Sequence, residues 1–538
     1  MLVKIERAGE SAPRAMGDGA GQATSDRWPS YQAGLGFMFE SVLVALDNLL
    51  TINSMGFLVM GTCIGLVFGA IPGLGGTTAI ALLIPLTFGM EQFEAITLMG
   101  GVMAATSTGG SVSAILLNTP GIAPNAATTF DGYPLAQQGK AGLALGAAAT
   151  ASALGGLIGV ITLVAVIPIA KEIVLLFAPP EFFLLAVFGL CAIAVSTGGR
   201  LLQGLITACV GLIAGFVGYD AVSGEVRYDF DVAFLWDGVK LVPALIGLFA
   251  IAEMINLSVK GGTVAENPEI VKIQKIFDGV KAVFKNYPTM LRGSAIGTFI
   301  GAVPGVGGTV AAFLSYSTQV QMAKDPETYG KGNILGVIAP ESANNAKDGG
   351  SLIPTLAFGI PGSAETAVFL GVLILHGLDP GPTILFEHED IIFTLILTLT
   401  ISCVLATLIV LALARTLALM TLIDVHVLVP AVTVVALVGA YALNSEIGDV
   451  FVALVFGIVG YWMIRFDYPR VTFTIALVLG EITERSFHQT MMISDQDWSI
   501  FITRNVSIML LVLIAVALAL PSFRLWMQRR KERREGAV

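Results

Sequence analysis

Charge is what this chain has least of. Asp, Glu, Lys and Arg make up 13% of its 538 residues, against 55% hydrophobic. A soluble globular protein carries about 25% charged residues, so a water-exposed surface of ordinary size is excluded. Cysteine and histidine are also scarce. Four cysteines (Cys63, Cys191, Cys209, Cys403) lie inside apolar runs without metal-ligand spacing, and four histidines (His376, His388, His426, His488) are scattered; both read as packing residues. No His-Glu-x-x-His occurs, nor any Gly-x-Gly-Asp or Gly-x-Ser-Gly that would serve an intramembrane hydrolase. Gly73-Leu-Gly75-Gly76-Thr77-Thr78 lacks the lysine of a phosphate-binding loop. No enzyme activity, cofactor or nucleic-acid partner is expected.

What the chain does have is long apolar runs. Residues 141–170 and 391–414 hold no charge at all, and a membrane span needs about 20 apolar residues. These runs do not alternate, as strands of a membrane barrel would. The fold class is therefore an all-α polytopic membrane protein in a lipid bilayer, with about 10–13 membrane segments once re-entrant pieces are counted. Residues 1–33 hold Arg7, Arg14, Asp18, Asp26 and Arg27 with no apolar core. They read as a mobile tail rather than a signal peptide. Residues 218–240 carry five acids against Arg227 and Lys240, and are expected outside. Residues 258–292 carry six basic residues against three acids, and the C-terminal tail holds Arg529, Arg530, Lys531, Arg533 and Arg534. Both are expected on the cytoplasmic side. The organisation is a tail (1–33), a first membrane repeat (34–258), a cytoplasmic linker (259–290), a second repeat with the C-terminal spans (291–520) and a basic cytoplasmic tail (521–538).

The repeats announce themselves in one stretch written twice. Gly61-Thr-Cys-Ile-Gly65-Leu-Val-Phe-Gly69-Ala-Ile-Pro72-Gly73-Leu-Gly75-Gly76-Thr77-Thr-Ala79 returns 232 residues later as Gly293-Ser-Ala-Ile-Gly297-Thr-Phe-Ile-Gly301-Ala-Val-Pro304-Gly305-Val-Gly307-Gly308-Thr309-Val-Ala311, identical at 11 of 19 positions. Downstream, Gly109-Gly110-Ser111 through Pro120-Gly121 answers Gly349-Gly350-Ser351 through Pro361-Gly362. Glycines four apart form a smooth strip on one helix face, where another backbone can approach. Pro-Gly-x-Gly-Gly-Thr is a break, because Pro has no N–H and Gly accepts left-handed backbone. Unwound backbone at membrane depth must line protein or a water-filled cavity. Paired interruptions in two halves point to the binding site of a secondary transporter, in which the two repeats are expected to be inverted.

The expected ion site is the unwound backbone and hydroxyls of Gly73, Gly75, Thr77, Gly305, Gly307 and Thr309. The expected solute site is the second block: Ser111, Asn118, Thr119 and Gly121, with Asn344, Asn345, Ser351, Thr355, Gly362 and Ser363. Two further interruptions are expected in the helices there, at 106–113 and across Pro340, Gly349-Gly350 and Pro354. Glu341, Lys347, Asp348 and Glu365 must face a cavity, pair or lie near an interface, since a charge at the bilayer centre costs about 2.5–3.5 kcal/mol. A solvated turn at Lys347–Asp348, and a plain helix-start acid at Glu365, are equally open.

The stretch 69–77, its second copy, and Ala339-Pro-Glu-Ser-Ala-Asn-Asn345 through Gly349-Gly-Ser-Leu-Ile-Pro354-Thr-Leu-Ala-Phe-Gly-Ile-Pro-Gly362 resemble the large membrane subunit of the tripartite tricarboxylate transporter family, over about residues 40–520. The resemblance implies a secondary transporter of the bacterial or archaeal cytoplasmic membrane. It would work with a small membrane subunit and an extracytoplasmic solute-binding protein. It would import a carboxylate such as citrate, coupled to a cation gradient, sodium ahead of protons. Small residues are common in that family's motif where Lys347-Asp348 stands here, a departure that bears on which anion is accepted. The membrane subunit of the other binding-protein-dependent dicarboxylate system is the nearest alternative. A non-transporting scaffold is the alternative from another class.

Overall fold

The computed structural model describes residues 31–195, 201–220, 224–260, 273–420 and 425–519. Most of the expected N-terminal tail, residues 261–272 of the linker and the basic tail lie outside them. The chain divides into two compact units, 1–40 and 41–538.

Helix α1 (Tyr31–Leu49) is followed by α2 (Ile52–Ala70), α3 (Gly75–Leu83), α4 (Gln92–Leu117), α5 (Ala126–Leu135), α6 (Ala141–Val174), α7 (Pro179–Val195) and α8 (Leu201–Gly215). A two-stranded hairpin, β1 (Gly218–Tyr219) with β2 (Val226–Arg227), precedes α9 (Leu241–Leu245) and α10 (Ala252–Lys260). These two helices run together through a π-helical stretch, Ile246–Ile251. Then come α11 (Ile276–Lys285), α12 (Tyr287–Gly301), α13 (Gly307–Gln321), α14 (Leu335–Phe358), α15 (Ala364–Leu375), α16 (Pro382–Glu387), α17 (Glu389–Met420), α18 (Val425–Asn444), α19 (Ile447–Arg465), α20 (Arg470–Ile493), α21 (Ile500–Thr503) and α22 (Asn505–Ala519). Among the described residues seven helices are long and apolar enough to cross a membrane, accompanied by five shorter apolar ones. The chain is a multi-pass membrane protein.

The Pro-Gly breaks fall where the sequence puts them. α2 stops at Ala70 and α3 starts at Gly75, with Gly73 at φ 90° and Gly75 at φ 62°; α12 stops at Gly301 and α13 starts at Gly307, with Gly305 at φ 71° and Gly307 at φ 70°. Such angles penalise any residue with a Cβ. The other two expected interruptions are absent. α4 runs unbroken through 106–113 and α14 runs unbroken through Pro340, Gly349-Gly350 and Pro354. The reason is local satisfaction. Thr106 Oγ1 donates to Val102 O (2.7 Å) and Thr355 Oγ1 to Ser351 O (2.5 Å). The hydroxyls thus bond to the preceding turn instead of competing with it, and each proline removes one intrahelical bond without ending the helix. α4 and α14 end instead in left-handed residues, Asn118 (φ 54°) and Gly359 (φ 70°).

The glycine strips are packing faces, as expected. A Cβ at Gly61, Gly65 or Gly69 of α2 would strike the backbone of Leu98, Val102 or Thr106 on α4; at Gly293, Gly297 or Gly301 of α12 it would strike Ala339, Ala343 or Lys347 on α14. Gly109 meets Leu66 as Gly350 meets Thr298, and Gly121 meets Gly69 as Gly362 meets Gly301. These approaches align α4 with α14 at a uniform offset of 241 residues. The glycine doublets of the sequence comparison therefore pair one position out: Gly109 corresponds to Gly350, not Gly349. Each half also reaches across to the other. α4 packs on α17, and α14 packs on α6. Thr62 Oγ1 of α2 donates to Ser402 Oγ of α17 (2.9 Å), and Thr407 Oγ1 of α17 to Ala149 O of α6 (2.9 Å). Arg504 pairs through Nε with Glu181 Oε1 at 2.6 Å.

Candidate functional site

α14 is the most polar buried helix of the chain's second half. Glu341, Asn344, Asn345, Lys347 and Asp348 are all at most 5% exposed. Positions 341, 344, 345 and 348 share one helix face.

Glu341 lies in a closed cage of donors. Its carboxylate accepts from Ser111 Oγ of α4 (2.6 Å), Asn125 Nδ2 (3.0 Å), Thr128 Oγ1 of α5 (2.5 Å) and Ser152 Oγ of α6 (2.9 Å). Four donors from separate segments bind one buried carboxylate, which fixes α14 against the first half. Ser111, expected to touch solute, is engaged here.

Lys347 lies beside it in sequence but in other company. Its side chain is 2% exposed, and Nζ pairs with Asp348 Oδ1 at 2.6 Å and with Glu365 Oε2 of α15 at 3.2 Å. This is no solvated turn, and Glu365 does more than open a helix. Gly308, at the start of α13, packs against Lys347 Cε, Asn344 Oδ1 and Pro124. The second break thus meets the charged trio and the turn after α4. Gly305 N also donates to Gly362 O at 3.1 Å, joining the break to the bend after α14.

Asn344 and Asn345 are less satisfied than the charged side chains of α14. Neither amide atom of Asn344 has a hydrogen-bond partner among the described residues, and the same holds for Asn345 Oδ1. Asn345 Nδ2 reaches Thr108 Oγ1 at 3.3 Å. A buried polar group without a partner costs about 1–3 kcal/mol, so such groups mark places where a ligand or water completes the set.

The remaining expected residues hold the bends. Ser351 Oγ donates to Asp348 O (3.0 Å), and Gly362 N donates to Thr355 Oγ1 (3.3 Å). Ser363 caps α15 in a reciprocal pair with Thr366. Thr119 Oγ1 donates to Leu117 O (3.2 Å), Asn118 is an exposed helix end, and Gly121 is wedged against Gly69. Of the expected ion site, Gly73 lies by Glu253 Oε1 and Gly75 by Ile122; Gly307 faces open space, Thr77 is half-buried and Thr309 is exposed. Glu253 pairs with Arg470 (3.3 Å), an association across the chain that no local pattern announces.

Residues 55–475 match the tripartite tricarboxylate transporter TctA family, a span that contains both breaks, the Glu341 cage and the charged trio. The chain belongs to that family. Two relatives from Agrobacterium vitis agree with this. An uncharacterized 52.8 kDa protein in the TAR-I ttuC' 3' region is 32% identical over 494 residues, which cover 90% of this chain and 97% of that one. An uncharacterized protein in the TAR-II ttuC' 3' region is 36% identical over 231 residues, 42% of this chain and 96% of that one. No solved structure matches. Family membership makes the chain a membrane subunit of a tripartite tricarboxylate transporter, a system that works with a small membrane subunit and a binding protein. The alternative of the other dicarboxylate system gives way at this level.

Proposed function

We propose that this chain is the permease of a cation-coupled importer of a citrate-like polycarboxylate, with sodium ahead of protons as the coupling cation. It works in a bacterial or archaeal cytoplasmic membrane, its C-terminus cytoplasmic, and receives solute from an extracytoplasmic binding protein. The observation that carries the reading is Asn344. Its amide is buried, has no partner among the described residues, and lies at the start of α13 beside the second break. A primary amide offers a neutral donor to a carboxylate oxygen, and a helix start adds about half a positive charge. A neutral donor can bind an anion that must later leave. Movement of the two broken-helix halves against each other would expose this place alternately to either side.

The test is uptake of labelled citrate into proteoliposomes that contain this chain, its small membrane subunit and its binding protein, under a sodium gradient. Asn344→Ala is expected to weaken solute affinity roughly tenfold to a hundredfold, the worth of a hydrogen bond to a charged group. No uptake of citrate or any other polycarboxylate by the wild-type assembly would overturn the reading.

A further inference from the structure

The Lys347, Asp348 and Glu365 cluster carries one positive and two negative formal charges, so it holds an excess negative charge in the interior of a membrane protein. The side chains of Asp348 and Glu365 are 7% and 15% exposed. Among the described residues, the groups set directly against Lys347 on neighbouring helices bring no compensating charge. α12 and α13 present Gly301 and Gly308, and α6 presents Gly159 to the Ala346 backbone. The Cys403 thiol of α17 meets Asn345 at Gly156, and Glu341 is enclosed by its own four donors. At the matching positions of α4 the first half carries no charge; the ion pair beside its own break, Glu253 with Arg470, lies against Gly73 instead. Gly69 sits on Thr106 as Gly301 sits on Lys347, and Gly76 packs on Thr106 as Gly308 packs on Lys347. At the same offset Ser107 answers Asp348, and Pro124 answers Glu365. The charges of the trio are therefore a feature of one half, placed beside glycine contacts common to both.

A second observation says what the cluster faces. The unpartnered Asn344 amide and the Lys347 side chain both border Gly308. The trio thus adjoins the candidate solute site. A solute carboxylate that entered alone would raise the excess to two negative charges. A monovalent cation that entered alone would cancel it. Binding of the two together leaves the balance unchanged, so each makes room for the other.

We propose that Lys347, Asp348 and Glu365 form a charge-switched carboxylate receptor. A monovalent cation, a proton or sodium, is taken up at the Glu365–Asp348 carboxylates, and the Lys347 ammonium it frees pairs with one carboxylate of the solute. Taken as a proton, the cation adds to Glu365 and leaves a neutral carboxyl, and no other bond is made or broken. Taken as sodium, it shares the carboxylate oxygens with Asn344 Oδ1. Lys347 keeps Asp348 and exchanges Glu365 for the solute. This inference rests on the reading that the solute is a polycarboxylate, and it assigns the coupling of solute to cation to three named side chains.

The experiment is binding and uptake of labelled citrate by the full assembly in proteoliposomes. One arm varies sodium at fixed pH, and the other varies pH with choline replacing sodium. In the wild type, citrate affinity rises by about tenfold or more as the effective cation is raised; the arm that shows the rise names the cation. Glu365→Gln, permanently discharged, is expected to bind citrate with less than a twofold response in either arm. The double variant Lys347→Thr with Glu365→Gln keeps the net charge of the trio but has no ammonium. It is expected to bind citrate at least tenfold more weakly than Glu365→Gln alone, and Lys347→Arg in the same background is expected to recover part of the loss. If the wild type transports citrate and Glu365→Gln keeps the full cation response, the receptor is overturned while the transport function stands. A double variant that binds as well as Glu365→Gln overturns it equally. If the wild type transports no polycarboxylate at all, both fall together.

Discussion

The two halves repeat one set of glycine contacts and differ in what stands beside them. In the first, α2 and α4 meet through glycines set on backbone, and the break at Pro72 adjoins the uncharged Thr106 through Gly76 and the Glu253–Arg470 pair through Gly73. In the second, α12 and α14 meet through the corresponding glycines, and the break at Pro304 adjoins Lys347, with Asp348 and Glu365 paired to it. The common part is what close packing of two helices demands, and a duplicated sequence supplies it twice. The distinct part is chemistry that one site needs once. Where the halves agree, a substitution should act alike on both and chiefly on stability. Where they differ, its effects should diverge.

The largest divergence is expected at Glu341, whose counterpart in the first half is Gly100. Glu341→Ala would leave Thr128 and Ser152 without an acceptor and open a cavity between α14 and α6. A loss of about 4 kcal/mol follows from stranded donors and lost packing together. At Gly100 an added Cβ would meet the end of the Leu395 side chain at 2.9 Å, which can move, so Gly100→Ala is expected to cost about 1 kcal/mol. Thermal unfolding of purified protein in detergent measures both. Equal shifts in melting temperature would mean that the Glu341 cage adds nothing the first half lacks.

The next effect should be the same on both sides. Gly69→Val and Gly301→Val each place a branched side chain against a backbone carbonyl, of Thr106 in one half and Lys347 in the other. Backbone pressed on backbone cannot yield as a side chain can, so about 3 kcal/mol is expected at each. The fraction that elutes as a single species after mild heating would show it. A tolerated valine at one position and not the other would break the correspondence between the two strips.

How much of this could be read in the sequence depends on how local each cause is. The breaks at Pro72 and Pro304 were legible because proline and positive-φ glycine act at their own positions. The glycine strips were legible because spacing alone puts them on one face. The continuity of α4 and α14 was not. It depends on hydroxyls turning back on their own helix and on protein surrounding both, and a run such as Thr106-Ser107-Thr108-Gly109-Gly110 looks the same whether it unwinds or not. The register was missed by one residue at Gly109 because matching glycine to glycine cannot tell which one rests on a given carbonyl. Glu341 could be flagged as a costly charge, but its partners at 111, 125, 128 and 152 come from four places in the other half of the chain. The Lys347–Asp348 pair is adjacent in sequence, yet its burial and its bond to Glu365 depend on the bend after Gly359.

The smallest effect is the sharpest check on the difference between halves. Thr106 stands where Lys347 stands, under Gly76 as Lys347 lies under Gly308, but its hydroxyl is already bonded to Val102 O. Thr106→Ala removes one bond that a helix carbonyl shares with its own backbone partner, along with one methyl group. The carbonyl keeps its backbone bond, so the loss should stay at about 1 kcal/mol or below. Citrate uptake should keep the cation response of the wild type, because no charge has changed. Lys347→Thr, which writes the first-half residue into the second half, removes the ammonium and leaves two carboxylates facing each other, and should abolish that response. Side-by-side uptake curves against sodium and against pH decide the matter. If Thr106→Ala shifts them as far as Lys347→Thr does, the two breaks act as equals, and the charge on the second is incidental to coupling.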